Sequence, residues 1–326
     1  NGYWDGNYSL NGTFENLNIA GYFQIDKTIS KKLKLIINSR SEHNKIKYSS
    51  NNGAIDDNID NNNNNWGLKS ALSYMLKSYS NLYISLSRGY KAGGINQNPY
   101  LDSSNRSYEP EFNLNYEVGY KSATAFNQLQ FTIFYMSRQN QQVNISSQQE
   151  EGNPNSFYFY TANASAGYNY GAEFNKSTNI GDKLSASLNF GYLSTHVDPY
   201  NFKTDSVTMV TLGNREQAHA PLYTFAVKLN YTLSLDLTAG IGISGKDKFY
   251  YSDGHNQQSK AYQLLDLNLD YKVENWSLSA WGKNVLDIRY GVRGFYFGLE
   301  PPNYEDKLYI HWGDPVQYGL SVKYRF

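Results

Sequence analysis

Cysteine is absent from the 326 residues. That excludes a disulfide framework and any thiolate metal site, and it suits an oxidising exterior. Nowhere do 18 apolar residues run consecutively, so the sequence holds no bilayer-spanning helix. Excess charge of either sign is also missing, since 29 basic residues balance 29 acidic ones. A balanced chain offers no electrostatic footprint for nucleic acid. No signal sequence opens the chain, which starts at Asn1 in polar, Gly-rich sequence; the expectation is processing or a piece of a longer protein.

What the chain has in quantity is aromatic surface. Aromatic residues make up 16% of it, with 31 Tyr, yet the mean hydropathy is −0.63. A fold must display greasy and wet surface together to accommodate both. A transmembrane β-barrel does so, with apolar side chains against lipid and polar ones lining the lumen.

Alternation at period two dominates the chain. Leu184, Ala186, Leu188, Phe190 and Tyr192 alternate with Ser185, Ser187, Asn189 and Gly191. Tyr223, Phe225, Val227, Leu229 and Tyr231 alternate with Thr224, Ala226, Lys228 and Asn230; Leu265, Leu267, Leu269 and Tyr271 alternate with Asp266, Asn268 and Asp270. Strands send successive side chains to opposite faces, whereas a helix would scatter these residues around its axis. Thirteen such segments are expected, near 16–26, 33–47, 66–76, 81–92, 111–122, 128–144, 163–177, 183–197, 221–233, 235–250, 261–273, 276–290 and 315–326. Short connections take turns with long ones, the latter covering 48–65, 93–110, 145–162, 198–220, 251–260 and 291–314. Outer-membrane barrels alternate short periplasmic turns with long extracellular loops, and a β-sandwich does not. An odd count ending on the periplasmic side implies strands missing upstream, because bacterial barrels have an even number. The expectation is therefore one partial all-β, antiparallel transmembrane barrel over 1–326.

Residues 51–65 (NNGAIDDNIDNNNNN) form an Asn/Asp-rich tract. Asp56, Asn58 and Asp60 have the alternation of a calcium loop, but the central Gly and terminal Glu are missing. A solvated loop tip is expected there.

The chain ends QYGLSVKYRF, with Tyr318, Leu320, Val322, Tyr324 and Phe326 on one side of the final strand. An amphipathic strand ending in Phe resembles the C-terminal signature of outer-membrane barrels, which in those families is read by the barrel assembly machinery. Further stretches resemble TonB-dependent receptors: SRGYKAGGIN (87–96), the pair Pro110-Glu111, NYEVGYKS (115–122), FYMSRQNQQV (134–143), YNYGAEFN (168–175), GNREQAHAPLYTF (213–225) and WGKNVLDIRYG (281–291). They run in the family's order from about residue 66 to the C-terminus. The resemblance implies a barrel of about 22 strands, of which this chain holds thirteen, with the remaining N-terminal strands, the lumen-filling plug and the TonB-contacting segment absent. The closest sub-pattern is that of ferric siderophore receptors.

Candidate sites follow from residue type. The five histidines, His43, His196, His219, His255 and His311, fall at or near the expected extracellular ends, and none has helix-face ligand spacing. No metal or cofactor is called for, and His219 with His311 is the pair to examine first. Asp266, Asp270 and Glu117 are expected in the lumen, paired with Lys or Arg such as Lys121 and Lys272. No Ser-His-Asp order stands out, so no catalytic residue is assigned and enzyme activity is not expected. Tyr100, Phe157, Tyr158, Phe159, Tyr160, Tyr200, Tyr250, Tyr251, Phe295, Tyr296 and Phe297 cluster where strands leave the membrane. An interfacial girdle accounts for most of them. Ligand contacts are expected at Phe157, Tyr158, Tyr160, Tyr250, Phe295, Tyr296, Phe297, His219 and His311, since planar iron chelates can stack on aromatic rings. The resemblance implies TonB-coupled import of a ferric siderophore or similar iron complex, with outer-membrane lipids, the assembly machinery and TonB as partners. A passive porin-like channel and a surface adhesion barrel are the alternatives.

Overall fold

A computed structural model of the chain describes residues 11–51, 56–98, 101–148, 157–203, 209–298 and 300–326. β1 (Asn11–Thr28), β2 (Leu33–Asn51), β3 (Asp56–Lys77) and β4 (Ser80–Lys91) are successive antiparallel hairpins. The next connection carries a small ribbon, β5 (Gly94–Ile95) with β6 (Ser107–Tyr108). β7 (Glu111–Ala123), β8 (Asn127–Gln148), β9 (Phe157–Ile180) and β10 (Leu184–Val197) resume the sheet. A second ribbon, β11 (Tyr200–Lys203) with β12 (Met209–Leu212), precedes β13 (Tyr223–Thr232) and β14 (Leu237–Lys246). A third, β15 (Tyr250–Ser252) with β16 (His255–Gln258), precedes β17 (Tyr262–Val273) and β18 (Trp276–Lys283). The last, β19 (Gly291–Phe297) with β20 (Lys307–Trp312), precedes the final strand β21 (Gln317–Tyr324).

Thirteen strands pair neighbour to neighbour into one antiparallel sheet, from β1 to β21, and every expected segment supplies one of them. The sheet is open: β1 and β21 are its two edges and do not pair with each other. The four ribbons all sit in long connections, so the two ends of the sheet differ as the sequence implies.

Register shows why the sheet has two unlike faces. Leu35, Leu72, Ile84, Val118, Ile133, Ala172, Tyr192 and Tyr223 lie in one row across eight strands. The adjacent row, one residue along, reads Lys34, Ser73, Tyr83, Gly119, Thr132, Glu173, Gly191 and Thr224. Ile84, Val118 and Ile133 are each 53% exposed. No second sheet covers them among the described residues, which excludes a sandwich. Leu188 (37%) and Leu267 (44%) are exposed on the same face. In water such a surface would drive aggregation; against acyl chains it is the stable arrangement. On the polar face Tyr83 lies over Gly119, where an added methyl would run into the ring.

Three expectations need correction. Within the expected loops 48–65 and 145–162, residues 48–51, 56–65, 145–148 and 157–162 are strand, because β2 pairs with β3 out to Asn51 and Asp56, and β8 with β9 out to Gln148 and Phe157. Composition misled here. Asn is a poor strand former by propensity, but within this hairpin Asn64 bonds His43 (2.8 Å), and Asp60 lies 3.7 Å from Lys45. On the opposite face Asn61 donates to the Gly94 carbonyl. The tip of the Asn/Asp tract, 52–55, lies outside the described residues. Second, the lumen carboxylates do not pair with lysine among the described residues. Glu117 accepts from the Tyr83 hydroxyl (2.6 Å), Asp266 from the Asn284 N–H (2.9 Å), and Asp270 from Ser279 and Asn268. Neutral donors of the same or neighbouring segments take the place of lysine. Third, the strands expected over 235–250 and 276–290 end at Lys246 and Lys283, where the chain departs into ribbons.

Alternation also breaks within β8. Phe131, Ile133 and Tyr135 of β8 are exposed, yet Val143 and Ile145, in the same odd-numbered series, are 1% and 2% exposed. Asn140 lies between them with φ of +51°, a left-handed conformation that Asn adopts at little cost. Beyond it the odd-numbered side chains turn to the other side, so that Gln141 comes against Gly167 of the polar face. Val143 and Ile145 then pack with Leu101, Tyr160, Ala164, Val197 and Tyr200. This apolar cluster joins the connection after β4 to β8, β9, β10 and β11.

Two substitutions separate the two environments. Ile145→Ala is expected to cost about 2–4 kcal/mol through the cavity it leaves, read as faster amide exchange at the β8–β9 end, whereas Ile133→Ala in the lipid-facing row leaves that exchange unchanged. Asn140→Val is expected to loosen the same region by about 1–2 kcal/mol, with Asn140→Gly close to neutral.

Candidate functional site

The long connections are held together at their base before they form a cavity. Glu111, at the start of β7, pairs with Arg138 of β8, and both are nearly buried. Arg138 Nε donates to Glu111 Oε1 (2.8 Å) and Nη1 to Gln217 Oε1 (2.7 Å), while the Gln142 N–H donates to Glu111 Oε2 (2.9 Å). The network thus ties Pro110-Glu111, FYMSRQNQQV and GNREQAHAPLYTF to one another. The stretch WGKNVLDIRYG forms a second joint. Asn284, with φ of +46°, donates from Nδ2 to the carbonyls of Ile288 (3.0 Å) and Asp314 (3.1 Å), and Asp287 accepts from the Val316 N–H (3.0 Å). These contacts seat both ends of the connection between β18 and β21.

Above the joints, Arg215 fixes the β15–β16 ribbon. Its guanidinium carbon lies 4.0 Å from the Tyr250 ring centre, and Nη2 donates to the carbonyls of Ser252 (2.8 Å), Asp253 (3.1 Å) and His255 (3.2 Å). The planar fork can satisfy several carbonyls at once. The Tyr200 hydroxyl also donates to Asp253 O (3.0 Å), and the Asp253 carboxylate accepts from the Ala218 N–H (3.1 Å). His219, with φ of +57°, donates its N–H to Tyr250 O (2.9 Å) and sets its ring 5.4 Å from Phe249.

A cavity of about 1000 Å³ opens between these elements. Its walls come from the connection after β4 (Asn96), the β8–β9 hairpin (Asn144, Tyr160, Thr161), the segment before β13 (His219), the β15–β16 ribbon (Tyr251, Asp253) and the β19–β20 ribbon (Arg293, Phe295, Tyr296, Phe297, His311). Asn96 locks two of these walls, accepting from the Thr161 N–H (2.9 Å) and donating to its carbonyl (2.8 Å). Gly294 allows the Tyr251 ring to lie directly on the β19 backbone. Tyr296 meets His255 edge-on at 5.1 Å and accepts from Gln257, while Phe295 stacks on Tyr309 at 6.0 Å.

Of the nine expected ligand contacts, Tyr160, His219, Phe295, Tyr296, Phe297 and His311 line this cavity. Tyr250 instead lies beneath Arg215, and Tyr158 packs against the apolar cluster. The side chain of Phe157 lies outside the described residues, as does Tyr100. His43 and His196 are elsewhere: His43 bonds Asn64, and His196 stacks on Tyr168 at 5.2 Å beside Asp198. Arg293, Asp253, Asn96 and Thr161 escaped the sequence reading. Arg293 stands two residues before Phe295, so the aromatic triplet was its one signal. Among the described residues no three His, Cys, Asp or Glu side chains gather as a metal site. Tyr318, Leu320, Val322, Tyr324 and Phe326 are all exposed, and Tyr324 is within 4.8 Å of the Trp276 ring.

Burial holds the His219 and His255 imidazoles below their ordinary value of 6.5, with the charges of Arg293 and Arg215 adding to it. Unfolded, these rings take a proton at higher pH than they do packed. Their packing therefore contributes fully above pH 6.5 and is lost as pH falls through the depressed values. Protection factors across Tyr250–Gln258, taken relative to the intrinsic exchange rate at each pH, should fall on acidification over that window, and no such fall should occur in a His219→Gln, His255→Gln variant. Arg215→Ala should release the same ribbon by about 2–3 kcal/mol at any pH, and Arg215→Lys should not restore it.

The chain matches the family described as TonB dependent receptor-like, beta-barrel, over residues 1–285. Among solved structures, the ferric yersiniabactin uptake receptor FyuA from Yersinia pestis superposes with a TM-score of 0.76 at 17% identity, covering 97% of this chain and 47% of that one. The siderophore receptor PiuA from Acinetobacter baumannii gives 0.75 at 18% identity, covering 97% and 44%. The copper transporter OprC gives 0.70 at 14% identity, covering 97% and 48%. The chain thus spans less than half the length of each of these receptors, and at such identities the likeness establishes the fold alone. With the family matched across most of its length and the sheet built to the same plan, this chain belongs to the TonB-dependent receptor β-barrel family.

Proposed function

We propose that this chain is part of the barrel of a bacterial outer-membrane receptor that imports a ferric siderophore or similar iron complex by TonB-coupled transport. The observation that carries the reading is the convergence of four long connections and the extended β8–β9 hairpin on one aromatic and polar cavity, at the far end of the sheet from the short turns. Phe295, Tyr296 and Tyr160 offer ring faces and edges for a planar chelate. Arg293 supplies a guanidinium suited to carboxylate or phenolate oxygens, with no carboxylate paired to it among the described residues. Asp253 is engaged with Ala218, so it opposes an anionic ligand less than a solvated carboxylate would.

Transport in this reading makes and breaks no covalent bond, and the energy arrives through TonB from elements upstream of this chain. The solved structures of similar fold include receptors named for siderophores and one named for copper, and the cavity favours an anionic, partly aromatic complex. The exposed C-terminal row from Tyr318 to Phe326 is proposed to serve recognition by the assembly machinery. A passive channel remains the competing reading, drawing on the connection after β4, which packs across the β8–β9 hairpin through Asn96 and Leu101.

Binding by the full-length protein distinguishes these readings. Ferric siderophores, haem and cobalamin should be titrated in turn, with induction tested under iron limitation. Arg293→Ala and Tyr296→Ala are each expected to weaken binding of the accepted complex by about tenfold, near 1.4 kcal/mol, with heat-modifiable folding intact. Failure of every iron complex to bind, together with solute-permeable proteoliposomes, would instead establish the channel.

A further inference from the structure

Charge is balanced over the whole chain but not along the sheet. Take the short connections with the four strand residues on either side, and the last six residues of the chain. The first such segment holds Lys27, Lys31, Lys32 and Lys34 against Asp26. Later ones add Lys77, Lys121, Lys183, Lys272, Lys323 and Arg325, against Asp182, Asp236, Asp270 and Glu274. Ten cations thus face five anions at this end. Since the chain totals 29 of each, the rest of the chain carries the opposite excess.

These cations are exposed, and only Lys34 has an ionic partner among the described residues, Asp26 at 3.6 Å. Lys77 lies 5.7 Å from the Tyr79 ring centre and Lys121 lies 5.2 Å from that of Tyr83. Beside them stands a second, independent feature. The same connections display large apolar side chains at their tips: Ile29, Tyr79, Phe126 and Ile180 are exposed, and Leu235 is fully so. A water-facing turn has no use for such residues. A turn lying at the boundary between headgroups and acyl chains does, with lysine stems reaching from the apolar zone to the phosphates.

We propose that the short-turn rim is a binding surface for anionic phospholipid headgroups, the apolar tips entering the acyl boundary while Lys31, Lys32, Lys77 and Lys183 engage headgroup phosphates. Charge complementarity selects anionic over zwitterionic lipid, because each lysine near an anionic surface gains attraction that a neutral surface does not offer. The proposal rests on the sheet spanning a membrane.

The test uses the full-length protein in nanodiscs of phosphatidylcholine mixed equally with phosphatidylglycerol, followed by delipidation and mass spectrometry of the retained lipid. Wild type should retain phosphatidylglycerol preferentially. That preference should fall by about fivefold for each engaged lysine removed in a Lys31→Ser, Lys32→Ser, Lys77→Ser, Lys183→Ser series, and should weaken at about 0.5 M salt. Lys45→Ser with Lys47→Ser, at the other end of β2, should leave it unchanged. Equal retention of the two lipids by an inserted, heat-modifiable protein, or a preference indifferent to the rim lysines, would overturn the proposal and turn attention to an acidic protein at that end. Failure to insert into the mixed bilayer would remove the membrane reading itself.

Discussion

In hydrocarbon no water is available to satisfy a peptide N–H or C=O, so every backbone group in the span must find a partner on a neighbouring strand. The antiparallel ladder from β1 to β21 meets that demand for all strands but the outer sides of the two edges. Once the ladder is fixed, side-chain direction is fixed with it, and the apolar and polar rows follow without further choice. A slip of one residue would turn Ile84, Val118 and Ile133 to the wet face and Tyr83 and Glu117 to the lipid. Register is therefore the quantity on which the remaining structure depends.

Outside the span that constraint lifts, and the long connections use other means. Short ribbons and single backbone bonds satisfy part of the backbone, and side chains such as Arg215 and Asn96 bond to carbonyls across distant segments. The two anchoring joints, Glu111–Arg138 and the Asn284 turn, lie where the strands end. Their placement lets the connections above them vary in content while remaining aimed at one cavity. Four of the family-like stretches, Pro110-Glu111, FYMSRQNQQV, GNREQAHAPLYTF and WGKNVLDIRYG, supply these joints.

Most of the architecture was readable in advance because a half-lipid, half-water sheet writes period-two alternation into nearly every strand. Segments such as Leu184–Tyr192 and Leu265–Val273 can satisfy one lipid face only as strands. The reading failed where composition and local environment part company. The Asn/Asp tract looks like a loop by propensity, yet pairing with β2 and contacts to His43 and Lys45 hold its residues 56–65 extended. Val143 falls in the expected strand 128–144 and Ile145 in the expected loop after it, and one left-handed residue, Asn140, turns both into an interior cluster. The cavity was half legible: aromatic clusters flagged Phe295–Phe297 and Tyr160, while Arg293, Asp253 and Asn96 gave no local pattern.

By itself the sequence determined the class of fold, the number and order of strands in the main sheet, and the charge carried at each end of it. Those properties are set by neighbours one, two or a few residues apart, which any reading along the chain can see. Only the tertiary structure decided which connections meet, that Tyr250 supports Arg215 instead of lining the cavity, and that His219 and His311 share a wall system with Arg293. Such meetings join residues tens to more than a hundred positions apart, through hydrogen bonds and ring contacts that leave no periodicity behind. Local physics built the wall, and long-range packing made the site.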